Sequence, residues 1–274
     1  MNISAKENPS EFNHFLFTRI KLDQFQYKFL RHSLQLVKNG NETFYDTSFI
    51  NENEEGGWIL ILHGAGLLIY GENWTIQQFS EIKRIFNHES YTNFLLSGDS
   101  EIIRNLIDTY EISNCQIEKE RVFYRASKIK HFSPEKTIIE NGSLSDLVEL
   151  AEMLKQYYYE EYNGQNNKLI EESSKLVMDL ISSDSIYVLR AEDKSIISLC
   201  TIINPDIGIL FTKEEHRRKG NGKVLLSFCS KLLLQENNEV FLMTDRQSES
   251  SNTVCKKVGF RAFFNYTYTR INNT

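Results

Sequence analysis

The sequence predicts a protein of mixed helices and strands, of the α/β (α+β) class, divided into domains of residues 1–130 and 131–274. Three observations lead to this prediction. Short apolar runs of strand length alternate with helical segments along most of the chain. A polar stretch that contains His131 and Pro134, from Ser127 to Lys136, separates the two halves as a linker. The 274 residues suffice for one large domain or for two domains that each bury a core.

The second half of the chain has the clearer pattern of elements. Ser143 is a typical helix cap, and Asp146, three residues later, can complete a capping box. The apolar residues that follow, from Leu147 to Leu154, recur at helical spacing. The predicted order is a strand at 137–140, helices from 143 and at 168–181, strands at 186–190, 196–203 and from 207, a helix from 223, a strand at 239–244, a helix from 252 and a strand at 261–270.

The first half has weaker signals. They predict a helix at 23–38, a hairpin of strands 58–63 and 67–70, and then a helix, strand, helix and strand at 75–86, 91–96, 100–110 and 121–125. This order is similar to that of the second half, so the first half is either a degenerate repeat of the second or an unrelated, smaller α/β domain. If it is a repeat, it has lost its phosphate site, because the segment Tyr70–Trp74 has one glycine and no basic residue.

The most informative segment joins a strand at Ile207–Phe211 to a helix through a basic loop with the pattern Arg217-x-x-Gly220-x-Gly222. Glycine lets the backbone turn tightly and approach a ligand closely. The N–H groups at the start of a helix point at such a ligand, and the helix dipole favours negative charge there. The glycine spacing is neither that of a Walker loop nor that of a dinucleotide loop. We expect an anion site, above all for phosphate; the alternative is a solvated basic turn.

A second segment, Ser251–Phe260, reads Ser-Asn-Thr-Val-Cys-Lys-Lys-Val-Gly-Phe. Together with the Arg217 loop it resembles the GNAT superfamily of acyl-CoA-dependent N-acetyltransferases, over roughly the last half of the chain. In that family the motif R/Q-x-x-G-x-G/A holds the CoA pyrophosphate, and a later helix ends in S-N-x-x-Y-x-x-x-G-F. The resemblance implies a mixed, mostly antiparallel sheet flanked by helices for residues 131–274, with acetyl-CoA as the co-substrate.

The resemblance also implies which residues bind the acetyl-CoA. The strand that ends at Thr212 would be splayed or bulged, so that its backbone pairs with the pantetheine and polarises the thioester. Gly208 suits such a bulge, or else makes room for a packed side chain. The residues that we expect to bind the cofactor are Leu210, Phe211, Thr212, Arg217, Arg218, Lys219, Gly220, Asn221, Gly222, Lys223 and Asn252.

Two positions depart from the family pattern. The usual tyrosine is Cys255, and an asparagine seven residues earlier is Ser248. A thiol with the ordinary pKa of ~8.5 is able to protonate a departing thiolate, so Cys255 is a candidate general acid. The alternative is a buried, small apolar side chain. Glu161 is a candidate contact for the amine, because it follows a run of tyrosines at a helix end that flanks the acceptor in the family; the alternative is that these tyrosines are core and that Glu160 is solvated.

The composition of the chain argues against several classes of function and site. The formal net charge of −6 argues against nucleic acid and anionic membrane as partners. The four cysteines lack C-x-x-C spacing and the histidines are scattered, so we expect neither a metal site nor a disulfide framework. No signal-peptide core or membrane-spanning run is present in the sequence, which indicates a cytoplasmic enzyme.

We therefore expect an N-acetyltransferase that moves the acetyl group of acetyl-CoA to a primary amine by direct attack in a ternary complex. The acceptor is a small-molecule amine or a peptide N-terminus, and a homodimer is compatible with the sequence. The alternative is a non-catalytic acyl-CoA binding or sensing protein. A third reading is a protein that binds another phosphorylated ligand.

Overall fold

The computed structural model describes residues 3–6, 24–38, 44–51, 58–62, 66–71, 74, 76, 79–80, 93–132, 137–165 and 167–272. The chain divides into two compact units, Met1–Phe123 with Phe264–Thr274, and Tyr124–Phe263. Two long strands, β6 (Cys115–Ala126) and β12 (Arg261–Asn272), have residues in both units. The division into domains 1–130 and 131–274 stays a prediction.

The first unit is a sheet with helices. Its strands are β1 (Ile3–Lys6), β2 (Phe44–Asn51), β3 (Trp58–Leu62), β4 (Gly66–Tyr70) and β5 (Asn93–Asp99), and its helices are α1 (Lys28–Lys38) and α2 (Ser100–Tyr110). The strands lie in the order β1-β2-β3-β4-β5-β12. The pairs are antiparallel except for β4 and β5, which run parallel.

The parallel pair of strands in the first unit, β4 and β5, is joined without interruption. Its ladder continues without a break from Gly66 opposite Leu95 to Ile69 opposite Gly98. At Gly98, where φ is +141°, an added Cβ would lie 1.7 Å from the Ile69 carbonyl oxygen. Ile69 is fully buried, in a core with residues of β5 and α2. No room is left for a ligand between these two strands.

The second unit contains the elements that were predicted with most detail. Its strands are β7 (Ile138–Asn141), β8 (Ile186–Arg190), β9 (Ile196–Ile203), β10 (Asp206–Thr212) and β11 (Val240–Asp245), and its helices are α3 (Leu147–Glu161), α4 (Ile170–Ser182), α5 (Asn221–Leu233) and α6 (Glu249–Val258). The strand order is β6-β11-β10-β9-β8-β7. Strands β7 to β10 pair antiparallel, and β10 pairs parallel with β11.

The core of the second unit forms between its helices and its sheet. Leu150, Ala151 and Leu154 lie on one side of α3 at the predicted helical spacing and are fully buried. They pack with Val177 of α4 against the central strands, where Phe211 belongs to the same cluster. Helix α5 contacts β8, β9 and β10 and also α6. This packing fixes the start of α5 next to the end of β10.

The predicted fold class is confirmed. The chain is of mixed helices and strands with mostly antiparallel pairing, and β8 and β9 occupy the predicted residues. Strands β1 and β2 were not predicted, because the sequence of β2, Phe-Tyr-Asp-Thr-Ser-Phe-Ile-Asn, does not alternate regularly between apolar and polar residues. Most of the predicted helix at 75–86, residues 72–73 of the segment Tyr70–Trp74, and linker residues 133–136 lie outside the described residues.

The capping box predicted before α3 is present and is extended by an ion pair. The Asp146 carboxylate accepts hydrogen bonds from the backbone N–H and the hydroxyl of Ser143, at 2.9 and 2.7 Å. It also accepts one from Arg190 of β8, at 2.8 Å. Burial alone would raise the pKa of Asp146, but the bonds from Arg190 and Ser143 outweigh it and hold the pKa below its usual value.

Replacement of Asp146 by Asn should lower the free energy of unfolding by about 2 kcal/mol at pH 7, because a charged acceptor of three hydrogen bonds is lost. The folded pKa lies below the unfolded one, so the carboxylate stabilises the fold above about pH 4 and this contribution is lost as the pH falls through the folded pKa. Urea unfolding at pH 7 and pH 3 measures both effects. The control is Glu192→Gln at an exposed turn. Equal stability of Asp146→Asn and wild type at pH 7 would contradict the role of this carboxylate.

Candidate functional site

Strands β10 and β11 pair only where they begin. Within these two fully described strands, the parallel pairing is limited to Asp206 opposite Phe241. On its other side, β10 continues to pair with β9, with Leu210 opposite Cys200 and Thr212 opposite Ser198. The two strands therefore splay apart toward their carboxyl ends, as predicted. Residues 210–212 keep a backbone edge that faces this wedge and is not paired with β11.

A register irregularity precedes the unpaired edge. The pairing of β10 with β9 shifts between Ile207 and Leu210, so that Gly208 lies in a bulge. The Thr201 hydroxyl accepts the N–H of Ile209 at 2.7 Å. A Cβ on Gly208 would lie 2.5 Å from this same oxygen. Both expectations for Gly208 hold, because it forms the bulge and it also makes room for the packed side chain of Thr201.

The loop after β10 carries a row of unpaired backbone donors. The Val224 N–H makes the first hydrogen bond of α5, to the Gly220 carbonyl at 3.1 Å. The six preceding N–H groups, at 218–223, have no hydrogen-bond acceptor among the described residues. Arg218 and Gly220 have φ values of +60° and +87°. These left-handed conformations turn the backbone so that the loop leads directly into the helix N-terminus, which favours an anion.

The loop lies against the end of the splayed strand. A Cβ on Gly222 would lie 3.3 Å from the Thr212 hydroxyl and 3.8 Å from a methyl group of Leu210. The Thr212 hydroxyl is itself hydrogen-bonded to that of Ser198, at 2.7 Å. The structure therefore brings together the two predicted segments, residues 210–212 and residues 217–223. Glycine at 222 is what permits the close approach.

The side chains of the loop differ in what they contact. Lys219 donates to the Glu215 carbonyl and Asn221 to the His216 carbonyl, each at 2.9 Å. The Lys223 ammonium lies 4.1 Å from the centre of the Phe132 ring. Arg218 is exposed.

Arg217 turns its guanidinium toward protein groups. Its Nε donates to the Thr212 carbonyl at 2.8 Å, and its Nη2 lies 2.8 Å from each carboxylate oxygen of Glu160. The guanidinium carbon also lies 5.3 Å from the centre of the Phe211 ring. Glu160 is exposed, as the alternative reading of the sequence had it, and it is also paired with the loop, which the sequence did not predict.

The side chain of Asn252 makes hydrogen bonds to other residues of the second unit. Its side-chain oxygen accepts hydrogen bonds from the hydroxyls of Tyr124 and Thr244, at 2.8 and 2.7 Å. Its side-chain nitrogen donates to the carbonyls of Asp245, Arg246 and Ser248 at 2.9, 3.2 and 2.7 Å. The predicted cofactor contact therefore fixes the turn from β11 to α6, on the other side of the wedge. Sequence reasoning missed Tyr124, which lies 128 residues away and carries no local signal.

Cys255 lies one turn after Asn252 and is 4% exposed. Burial raises the pKa of its thiol to about 12. Burial first, and then the neighbouring Cys255, raise the pKa of Tyr124 above its usual value. At neutral pH both groups are protonated and neutral. Of the two roles left open by the sequence, the burial of Cys255 favours the apolar, packed one.

The tyrosines at the end of α3 form a cluster next to β10. Tyr158 stacks on Tyr162 with ring centres 6.2 Å apart, and the Lys168 ammonium lies 4.8 Å from the Tyr158 ring. Tyr157 meets Phe211 edge to face at 6.5 Å. Glu161 is half-buried at the same helix end. The cluster thus places an aromatic and acidic surface beside the strand that borders the wedge.

Two kinds of feature are absent from the described residues. None of their helices combines the length and apolar character needed to cross a membrane. No group of three or more His, Cys, Asp or Glu side chains in this part of the chain is arranged to hold a metal ion.

Comparisons with known proteins agree with this geometry. Residues 194–269, which contain the splayed strand, the loop, α5 and α6, match the family model described as FR47-like protein. No curated protein matches the chain in sequence.

Three solved structures resemble nearly the whole chain. A Drosophila protein has a TM-score of 0.60 at 12% identity, with 99% of each chain covered. A GNAT-family acetyltransferase from Colwellia psychrerythraea has 0.58 at 10% identity, also with 99% of each chain covered. A GCN5-related N-acetyltransferase from Sphaerobacter thermophilus has 0.57 at 12% identity, with 86% of this chain and 84% of the other covered. At these low sequence identities, the structural similarity shows that the fold is alike.

Proposed function

We propose that this chain, which has the fold of GNAT acetyltransferases, is an N-acetyltransferase that moves the acetyl group of acetyl-CoA to a primary amine. The fold and the FR47-like match of residues 194–269 support acyl transfer in general terms. One observation carries the assignment of the donor. The loop of residues 218–223, whose N–H groups have no acceptor among the described residues, meets at Gly222 the end of β10 that is not paired with β11.

The loop and the wedge suit the two ends of a CoA ester. A pyrophosphate needs several hydrogen-bond donors and positive potential, and the loop offers six backbone N–H groups at a helix N-terminus with Arg218 and Lys223 nearby. The pantetheine arm carries amide groups in an extended chain. Such a chain can pair, as an added strand does, with the edge of β10 that is not paired with β11, at residues 210–212. The Thr212 carbonyl on this strand already accepts a hydrogen bond from Arg217. The thioester would then lie in the wedge beside Phe211.

The aromatic and acidic surface at the end of α3 suits the acceptor. A primary amine is cationic in water, and carboxylate charge and aromatic faces both attract a cation. Glu161, Tyr157 and Tyr158 would receive it next to β10. The bound ammonium first loses a proton to water, and the neutral amine then attacks the thioester carbonyl carbon. The C–S bond breaks, the nitrogen loses a second proton and the CoA sulfur gains one. A small-molecule amine and a peptide N-terminus both fit this chemistry.

Cys255 is a poor proton donor for this reaction. Its thiol has a pKa of about 12. An ordinary thiol such as that of CoA has a pKa of ~8.5, so transfer of the proton would be uphill by about 5 kcal/mol. The departing thiolate is stable enough to leave without this help and to take its proton from water. We propose that Cys255 fills space on the buried side of α6.

The first unit has no comparable site in the part that the structure describes. Its parallel strands, β4 and β5, are paired with each other over four residues, from Gly66 to Ile69. A pantetheine arm therefore has no free strand edge to pair with there. This supports one CoA per chain, bound by the second unit. A degenerate repeat in the first unit is consistent with this geometry.

A second candidate function is the binding or sensing of acyl-CoA without catalysis. The replacement of the family tyrosine by the buried Cys255 favours it, because no strong acid then faces the sulfur from this helix position. Measurement of thiol release from acetyl-CoA with a panel of amines and peptide N-termini separates the two functions. Saturable release with one class of amine supports transfer. Binding of CoA without release for any amine supports sensing.

Replacement of Gly220 by Val should weaken CoA binding at least 10-fold, because a β-branched residue is strained at a φ of +87° and the loop must change shape. Titration calorimetry with CoA measures the affinity. Gly164→Val is the matched control, since Gly164 has a φ of +76° in the turn after α3. Equal affinity of Gly220→Val and wild type would contradict the assignment of the loop.

Replacement of Cys255 by Ala should leave the rate of acetyl transfer within about twofold and lower the free energy of unfolding by about 1 kcal/mol, since one buried sulfur is removed. An acid role predicts instead a loss of rate of about 10- to 100-fold with CoA affinity retained. Steady-state kinetics with the best amine, and urea unfolding of the same samples, distinguish these outcomes. A large loss of rate in a stably folded variant would show that the thiol donates the proton.

A further inference from the structure

We infer that Arg217 and Glu160 form a positioning pair that holds the 218–223 loop in its anion-binding shape, and that the Arg217 side chain is not itself a phosphate ligand. Arg217 then supports the shape of the loop, a role that its place as the first residue of the loop motif does not indicate. The test by CoA affinity rests on the proposed function, whereas the test by hydrogen exchange does not.

The guanidinium of Arg217 joins three parts of the second unit. It donates to the Thr212 carbonyl at the end of β10, lies over the ring of Phe211, and meets both oxygens of Glu160 at the end of α3. The Gln156 side chain, one helical turn before Glu160, donates to the same carboxylate at 3.0 Å. The planar fork of arginine suits such a site, because it can serve a carbonyl and a carboxylate in one plane.

The loop needs such support because its shape is costly. A residue other than glycine is strained in the left-handed conformation, as Arg218 is with a φ of +60°. The six N–H groups of residues 218–223 also have no acceptor among the described residues. Water can hydrate these exposed or half-buried N–H groups, but it does not relieve the strained backbone at residue 218. Contacts elsewhere must therefore keep the loop in place.

Among the described residues, the side-chain hydrogen bonds that connect the loop to other elements are those of Arg217. Those of Lys219 and Asn221 end on Glu215 and His216, within the turn that leads into the loop. Those of Arg217 end on β10 and α3. Nε and Nη2 of the guanidinium are engaged with a carbonyl and a carboxylate, so only Nη1 could reach a phosphate without displacing one of them. The backbone N–H groups need no such exchange to bind it.

The pair also connects the two sides of the proposed reaction. Glu160 belongs to the helix end that carries Tyr157, Tyr158 and Glu161, where the acceptor is proposed to bind. Arg217 belongs to the loop that is proposed to hold the CoA. Loss of either partner should therefore loosen the same loop, and loss of Glu160 should do so even though Glu160 is an anion and would repel a phosphate.

The binding test is a double-mutant cycle on CoA affinity, measured by calorimetry for Glu160→Ala, Arg217→Ala and the double variant. Each single change should weaken binding about 5- to 10-fold. The effect of Arg217→Ala should be the larger, because this change also removes the hydrogen bond to the Thr212 carbonyl. The double variant should be no weaker than Arg217→Ala, which already removes the pair. Arg217→Lys should be nearly as weak as Arg217→Ala, since an ammonium cannot replace the fork. Glu152→Ala, elsewhere on α3 in an exposed pair with Lys155, should bind as wild type does.

A direct contact of Arg217 with phosphate predicts the opposite pattern. Glu160→Ala would then free the guanidinium and leave affinity unchanged or higher, and Arg217→Lys would keep most of the binding. That result would overturn the inference. Far-UV circular dichroism of each variant confirms that it is folded.

The second readout is hydrogen exchange in the absence of CoA. The N–H groups of His216, Arg217 and Val224 are bonded to Lys213, Glu214 and Gly220 and report on the loop. Their exchange should be several-fold faster in Glu160→Ala and in Arg217→Ala, and unchanged in Glu152→Ala. Unchanged exchange in both pair variants would overturn the inference. If wild type fails to bind CoA, the proposed function fails, and hydrogen exchange still decides whether the pair positions the loop.

Discussion

Strands β10 and β11 stop pairing after Asp206 and Phe241, and the candidate site depends on this interruption. A buried strand edge with free N–H and C=O groups is costly unless it finds partners. Here the bulge at Gly208, stabilised by the Thr201 hydroxyl, directs the end of β10 away from β11. Helix α5 then begins beside the opening, so its unpaired N–H groups and the free strand edge border the same space.

Two parallel strand pairs among the described residues, β4 with β5 and β10 with β11, illustrate the same constraint in opposite ways. In the first unit the ladder of β4 and β5 is unbroken, and Gly98 brings the strands so close that a single methyl group would not fit. In the second unit the corresponding ladder ends at its first pair. A continuous ladder satisfies the backbone and contributes stability. An interrupted one leaves backbone groups available to a ligand, and the proposed CoA site uses them.

Local features of the sequence were predicted well, and long-range contacts were not. The capping box of Ser143 and Asp146 and the glycine loop follow from residues within a few positions of one another. The pairing of Arg217 with Glu160 joins residues 57 apart, and that of Tyr124 with Asn252 joins residues 128 apart. Such pairs depend on how the sheet is assembled, which no short pattern encodes. For Cys255 the sequence left an acid and a packed thiol open, and only its burial in the fold favours the second.

The central claim is that the backbone N–H groups of residues 218–223 bind the pyrophosphate of CoA. A titration of ¹⁵N-labelled protein with CoA, followed by amide NMR, tests it most directly, because a hydrogen bond to phosphate shifts an amide proton strongly downfield. Residues 218–223 should shift along one saturable curve that reaches its end at one CoA per chain. The amides at the start of α2, a helix N-terminus capped by Asp99, should not shift. Saturable binding that leaves the amides of 218–223 unchanged would contradict the account.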